Sequence, residues 1–194
     1  MHFRFDADIA RYDQQAIQHL MEGFPSPQVE QILRVRHLQG RREKVAVCCL
    51  LADLLKELGL YAAPPVIGHL ESGQPFLVDH PQLHLSISHC KNVVAVAIDD
   101  RNPIGIDVES RRKISPALLS RVCSAEEQQL IALSPDPDLE FIRLWTRKEA
   151  YVKQQGTGIK DSLPYTELMA SRQSLCITSH QLSANTWLSL CYVP

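Results

Sequence analysis

The sequence lacks most of the features that would place it in a specialised class. It has no run approaching the roughly 18 apolar residues that a membrane helix needs, and "MHFRFDADIA" (1–10) has no signal-peptide core. A cytoplasmic protein with no membrane association is therefore expected. The six cysteines (48, 49, 90, 123, 176 and 191) contain no C-x-x-C pair. Buried free thiols are expected rather than disulfides or zinc ligands. The eight histidines show no H-E-x-x-H spacing, and His80, His84 and His89 are merely clustered. Low-complexity segments are missing too. Net charge is only −2, which argues against a general nucleic-acid binder. The most basic stretch, "RVRHLQGRREK" (34–44), has none of the interleaved aromatics on which bases stack.

What is present belongs to an ordinary globular protein: 194 residues, 45% hydrophobic and 22% charged, enough for one large domain or two small lobes. The charge is patterned locally. Arg34, Arg36, Arg41, Arg42 and Lys44 face a single Glu43, and a second cluster, Arg111-Arg112-Lys113, follows "GIDVES". Such patches suit a discrete anionic ligand or an acidic protein partner, or else are solvated basic loops.

Proline and glycine punctuate the chain at "GFPSP", "YAAPP", "ESGQP", "DDRNP" and "LSPDPD". Between them, 44–60 reads as a buried helix ending at a glycine. The alternation of Leu83, Leu85 and Ile87 with His84, Ser86 and Ser88 reads as a strand. Further strands are expected at 93–99 and 103–109. One or two helices follow at 115–133, with Ser124 and Glu127 as a capping box, then a helix at 139–156 that stops at Gly156. Strands return at 174–180 and 186–193. This order predicts an α+β fold of two halves, 1–100 and 101–194, although no sequence identity between them is visible.

Two stretches carry chemistry. On the strand "GIDVES", alternation sends Asp107 and Glu109 to one face and Ile106 and Val108 to the other. Adjacent carboxylates repel, so a cation should offset the cost; magnesium is the natural candidate, since it takes a few carboxylate oxygens plus water and substrate phosphates. The bland alternative is a strand edge with its acids in solvent beside Arg111 and Arg112. In "LWTRKEAYVK" (144–153), Glu149 precedes Lys153 by one helical turn. That pair is either ordinary surface decoration, worth about 0.2–0.5 kcal/mol, or part of a site.

Taken together, "IGIDVE" (104–109) and "LWTRKEAYVK" resemble the paired signature of the Sfp-type 4′-phosphopantetheinyl transferases. Ile104, Gly105, Ile106, Asp107, Val108 and Glu109 fill its first part. Trp145, Thr146, Arg147, Lys148, Glu149, Ala150 and Lys153 fill its second. "LSISH", "SGQP" and "CSAEE" add to the likeness, which spans roughly 34–160. The resemblance implies an α+β pseudo-dimer within one chain, monomeric with an internal pseudo-two-fold. It implies magnesium-dependent transfer of the phosphopantetheine arm of coenzyme A to a carrier-protein serine, releasing adenosine 3′,5′-bisphosphate. Asp107, Glu109 and Glu149 would hold the magnesium. Glu149 would also take the serine proton, directly or through water on the metal, and Lys148 and Lys153 would face the phosphates. The N-terminal half would take the coenzyme A adenosine and 3′-phosphate through Arg41 and Lys44, with Arg36 in reserve, and through Ser88 and His89. Gln74, also expected on the coenzyme A, stands where a lysine is common in the family, and Cys123 where an aromatic is. An apo acyl carrier protein is the expected partner, docking on Arg111, Arg112, Lys113 and Arg121. A peptidyl carrier domain is the alternative partner, and a non-catalytic carrier-binding module the alternative function.

Overall fold

Val45, Cys48, Leu51 and Leu55 recur at helical spacing and are all buried on one long helix, α3 (Leu38–Glu57). The computed structural model describes residues 1–156, 171 and 173–194; residues 157–160, the end of the stretch covered by the family resemblance, lie outside them. Helix α3 starts six residues ahead of the apolar pattern, because His37 Nδ1 accepts the Gly40 amide at 3.0 Å and caps it. Arg41, Arg42 and Lys44 of the basic patch thus occupy its first turns, while Arg34 and Arg36 precede it. Gly59, at φ +69°, supplies the left-handed turn that stops it.

The chain divides into two compact units, Met1–Arg101 and Asn102–Pro194. In the first, β1 (His2–Asp6) is followed by α1 (Gln14–Met21), α2 (Ser26–Leu33) and α3. A small hairpin, β2 (Ile67–His69) with β3 (Pro75–Leu77), comes next, then β4 (His84–Cys90) and β5 (Val93–Asp99). The sheet order is β1-β5-β4, all antiparallel. Every residue of β5 is buried, as befits a central strand covered by α3. Strand β4 departs from simple alternation, since Ser86 and Ser88 are buried along with Leu85. Strand β1 was invisible in the pattern: Phe3 and Phe5 alternate as core residues would, yet Phe5 is exposed and Asp6 is the buried residue. Arg11 explains this, with its Nη1 and Nη2 donating to Asp6 at 2.7 and 2.5 Å.

The second unit runs β6 (Gly105–Ser110), α4 (Pro116–Val122), α5 (Ala125–Leu133), α6 (Pro137–Gln155), β7 (Cys176–Ser183) and β8 (Thr186–Tyr192). Its sheet order is β6-β8-β7, again antiparallel. Among the described residues each unit thus runs from a first strand through three α-helices to a closing strand pair whose last strand lies in the middle of the sheet, and the first unit adds the β2–β3 hairpin before that pair. Helices α4 and α5 are separate, because Ser124 and Glu127 close a reciprocal capping box that starts a new helix. Helix α6 is capped by Asp136 and stopped by Gly156 at φ +64°. It buries Phe141, Ile142 and Trp145 in its unit's core, with the first and last of these rings stacked. Among the described residues no helix is long and apolar enough to cross a membrane.

Candidate active site

In the second unit, β6 presents alternating faces as expected: Ile106 and Val108 are buried in the core, Asp107 is buried on the other face and Glu109 is half-buried beside it. Helix α6 lies close over this strand. A β-carbon at Gly105 would overlap the Ala150 carbonyl and come within 2.7 Å of the Gln154 amide nitrogen. That proximity brings Lys153 Nζ to 2.8 Å from Asp107 Oδ1. It also couples Glu149 electrostatically to both β6 carboxylates.

The three acids are unequal. Burial pushes the Glu149 carboxyl up to about 7, and repulsion from Asp107 adds to this while Lys153 opposes it. Among the described residues Glu149 Oε1 is buried with no hydrogen-bonding partner. Glu109 is also raised, first by burial and then by Asp107; Arg112 and a hydrogen bond from the Trp145 side chain hold it down. A buried, unpartnered carboxylate oxygen beside two more carboxylates is costly unless a cation joins them.

The donors are all oxygens, the type a hard divalent ion takes, and the charge of Asp107 makes ionisation of Glu109 and Glu149 harder. Lys153 already supplies one positive charge to the group. Among the described residues, no group of three His, Cys, Asp or Glu side chains is spaced for simultaneous ligation.

Lys148, which the sequence reading puts on the substrate phosphates, is buried to 1% exposure, with Nζ donating to Glu127 at 2.7 and 2.9 Å. Glu127, the helical partner of Ser124 in the α5 capping box, is thereby tied to α6. Lys148→Met should therefore destabilise the fold by about 1.5–3 kcal/mol, the range for hydrogen bonds between charged groups. With the coenzyme A that the resemblance implies as substrate, it should leave the Michaelis constant within about twofold. Thermal melts and saturation kinetics check this, and the opposite pattern would return Lys148 to the phosphates.

The residues expected to form the nucleotide clamp line two cavities of the first unit. Lys44 and His89 line one cavity of about 440 Å³ with His37, His69 and Glu43. His89 Nδ1 lies 3.4 Å from Glu43 Oε2. Arg41 and Arg36 instead line a different cavity, of about 510 Å³, with Gln14, Met21 and Leu33. Arg41 is held there by donating Nε to the Val35 carbonyl at 2.8 Å. Gln74 lies outside the lining, although its neighbours Gly73 and Pro75 are part of it, and Ser88 is buried on β4. Sequence reasoning missed Gln28 and Gln31 in this cavity. Both are polar residues three apart on α2, bonded to the Ile67 backbone at 3.2 and 2.9 Å. Nothing in their spacing distinguishes them from a solvated helix face.

Of the expected docking residues, Arg111 pairs with Asp136 at 2.8 Å and Arg112 with Glu109 at 3.8 Å. Lys113 and Arg121 are exposed. Leu118, Leu119 and Val122 pack on the core. The exposed apolar side chains nearby in sequence are Leu130 and Leu133 of α5, which the pattern did not single out.

Residues 103–187 match the 4′-phosphopantetheinyl transferase superfamily. Similar proteins include the 4′-phosphopantetheinyl transferase psf-1 of Bacillus pumilus, 32% identical over 133 residues, which are 67% of this chain and 57% of that protein. The transferase Sfp of Bacillus subtilis (strain 168) is 40% identical over 96 residues, 48% and 42% of the respective chains. The transferase AcpT of Escherichia coli (strain K12) is 35% identical over 133 residues, 64% of each. The chain thus spans about half the length of the Bacillus relatives it matches.

Proposed function

We propose that this chain, which belongs to the 4′-phosphopantetheinyl transferase superfamily, transfers the phosphopantetheine arm of coenzyme A to a serine hydroxyl of an apo acyl carrier protein. The serine oxygen bonds to the phosphorus that carries the pantetheine arm. The phosphoanhydride bond to the adenosine 5′-phosphate breaks, and adenosine 3′,5′-bisphosphate leaves.

The observation that carries this reading is the Asp107–Glu109–Glu149 group, with Glu149 Oε1 buried and unpartnered among the described residues. Asp107, Glu109 and Glu149 are the residues that would hold magnesium. When bound, the ion supplies positive charge to the pyrophosphate as the anhydride breaks. Glu149 would also take the serine proton, directly or through water on the metal. Lys153 neutralises Asp107 and is placed to meet phosphate oxygens as well.

The first unit takes the adenosine 3′-phosphate in the cavity holding Lys44 and His89. The recurrence of one strand order in both units supports reading them as two similar α+β halves. The weak net charge and the absence of aromatics around residues 34–44 leave nucleic acid out of this function.

Intact-protein mass spectrometry tests the proposal. An apo acyl carrier protein and an apo peptidyl carrier domain are each incubated with the protein, coenzyme A and magnesium, with and without chelator. A gain of one phosphopantetheine on the acyl carrier, lost with chelator, is the expected result. Faster modification of the peptidyl carrier would overturn the choice of partner. No gain on either, from protein that binds coenzyme A, would leave a carrier-binding module.

The clamp has its own test. Lys44→Ala should raise the Michaelis constant for coenzyme A about 10-fold or more, as loss of one charge-assisted hydrogen bond does. Arg41→Ala should raise it as well, and an effect confined to the carrier-protein constant would show that the clamp is misplaced.

A further inference from the structure

A file of hydroxyls crosses the second unit beside the carboxylates. Arg147 Nη1 donates to Ser179 Oγ at 3.0 Å and to the Ile177 carbonyl at 3.1 Å. Ser179 Oγ and Ser189 Oγ are 2.9 Å apart, and Ser189 Oγ and Thr146 Oγ1 are 2.8 Å apart. Thr146 Oγ1 donates to the Arg143 carbonyl at 3.0 Å. A guanidinium only donates, a carbonyl only accepts, and each hydroxyl carries one proton. The direction is therefore fixed, from Arg147 through Ser179, Ser189 and Thr146 to the Arg143 carbonyl. Thr146 and Ser189 are fully buried, so removing one link strands the polar groups on either side.

The position of this file matters more than its energy. Ser189 on β8 stands directly opposite Asp107 on β6, and directly opposite Ser179 on β7. Residues paired in this way point to the same face of a sheet. Thr146 precedes Glu149 by three residues on α6, so the two share a helix face. The bond from Thr146 to Ser189 consequently joins the turn of α6 before Glu149 to the strand position beside Asp107. The Lys153–Asp107 ion pair at 2.8 Å already ties helix to sheet through charge. The hydroxyl file adds a second tie made of neutral groups and a single distal cation.

We propose that Arg147, Ser179, Ser189 and Thr146 form a positioning device that sets the height and rotation of α6 on β8, and through α6 the place of Glu149 relative to Asp107. This rests on the reading of the carboxylate group as the metal-holding site of the transferase.

The test uses the full chain and manganese(II), which is followed by electron paramagnetic resonance, together with steady-state kinetics. Thr146→Val keeps the shape and removes the hydroxyl. It should bind manganese about 10–100-fold more weakly, the usual effect of losing a group that orients a ligand. Its turnover number should fall by a similar factor, with the Michaelis constant for coenzyme A within about twofold. Thr146→Ser keeps the hydroxyl and should recover both to within about threefold. A purely structural role would lower the melting temperature of Thr146→Val and leave manganese affinity unchanged; that result in folded protein overturns the proposal. If Thr146→Val does not fold, Ser179→Ala at the half-buried end of the file decides, with about 3–10-fold weaker manganese binding expected and an unchanged affinity overturning it. A parent protein that binds manganese but modifies no carrier would refute the transferase reading while the affinity comparison still judged the positioning. A parent that binds no manganese would overturn the metal assignment and the proposal with it.

Discussion

Glu149→Gln is expected to leave a folded protein that transfers phosphopantetheine at least about 10²–10³-fold more slowly, as removal of one electrostatic stabiliser at a reacting centre does. The substitution keeps volume and a hydrogen-bonding oxygen but discards the charge needed to hold a cation or accept the serine proton. The same change should stabilise the protein when metal is chelated. The Glu149 carboxyl is raised from its ordinary 4.5 to about 7, so the folded state binds this proton more tightly than the unfolded state. The resulting stability is fully present below about pH 4.5 and is lost as pH rises to about 7. In chelator at pH 8 the glutamine variant should therefore melt about 2–4 °C higher than the parent, and the gap should close near pH 4. Magnesium should raise the melting temperature of the parent and have little effect on that of the variant. Asp107→Ala should abolish transfer as well, but without the gain in stability, because it leaves Lys153 beside an empty place. Unchanged turnover in either folded variant, or a lower melting temperature for Glu149→Gln in chelator at pH 8, would break the assignment.

The parts of the molecule legible in the sequence are those set by local rules. Period-two alternation sends Asp107 and Glu109 to one face because Ile106 and Val108 must be buried on the other. The capping box at Ser124 and the left-handed Gly156 are equally local, and both mark helix ends where the residues demand them. What escaped the pattern depends on partners distant in sequence. Strand β1 pairs with β5 about 90 positions later, and its buried residue is an aspartate made tolerable by Arg11. The charge of Lys148 was legible, but its direction was not, since Glu127 lies 21 residues away on another helix. Arg41 and Lys44 share a helical neighbourhood on paper, yet the Val35 carbonyl draws Arg41 into a different cavity. A motif thus states which charges are present before it states whom each one faces. The hydroxyls of Thr146, Ser179 and Ser189 show the same limit, since no short pattern joins residues from one helix and two strands.

Gly105→Ala tests the approach of helix to strand on which the carboxylate group depends, and its expected effect is large for a single methyl group. Gly105 differs from Gly59 and Gly73, which have positive φ and open space around the α-carbon. Those two serve backbone conformation, whereas Gly105 serves proximity. Its missing β-carbon would meet the carbonyl carbon and oxygen of Ala150 and the amide nitrogen of Gln154, all main-chain atoms of α6. No rotamer change can relieve that overlap, so the whole helix must lift or the strand must bend. Overpacking of this kind costs about 1–3 kcal/mol and occasionally more, which is about 2–12 °C in melting temperature for a chain of this size. Lifting α6 would carry Glu149 and Lys153 away from Asp107 and strain the Thr146–Ser189 bond together. Transfer should therefore fall by about 10²-fold or more even in the fraction that remains folded, since a misplacement near 1 Å is enough for that loss. A crystal structure of the folded variant, with helix and strand separation compared to the parent, would locate the loss. Full activity with an unshifted α6 would show that the close approach is dispensable, and with it the argument that β6 and α6 act as one site.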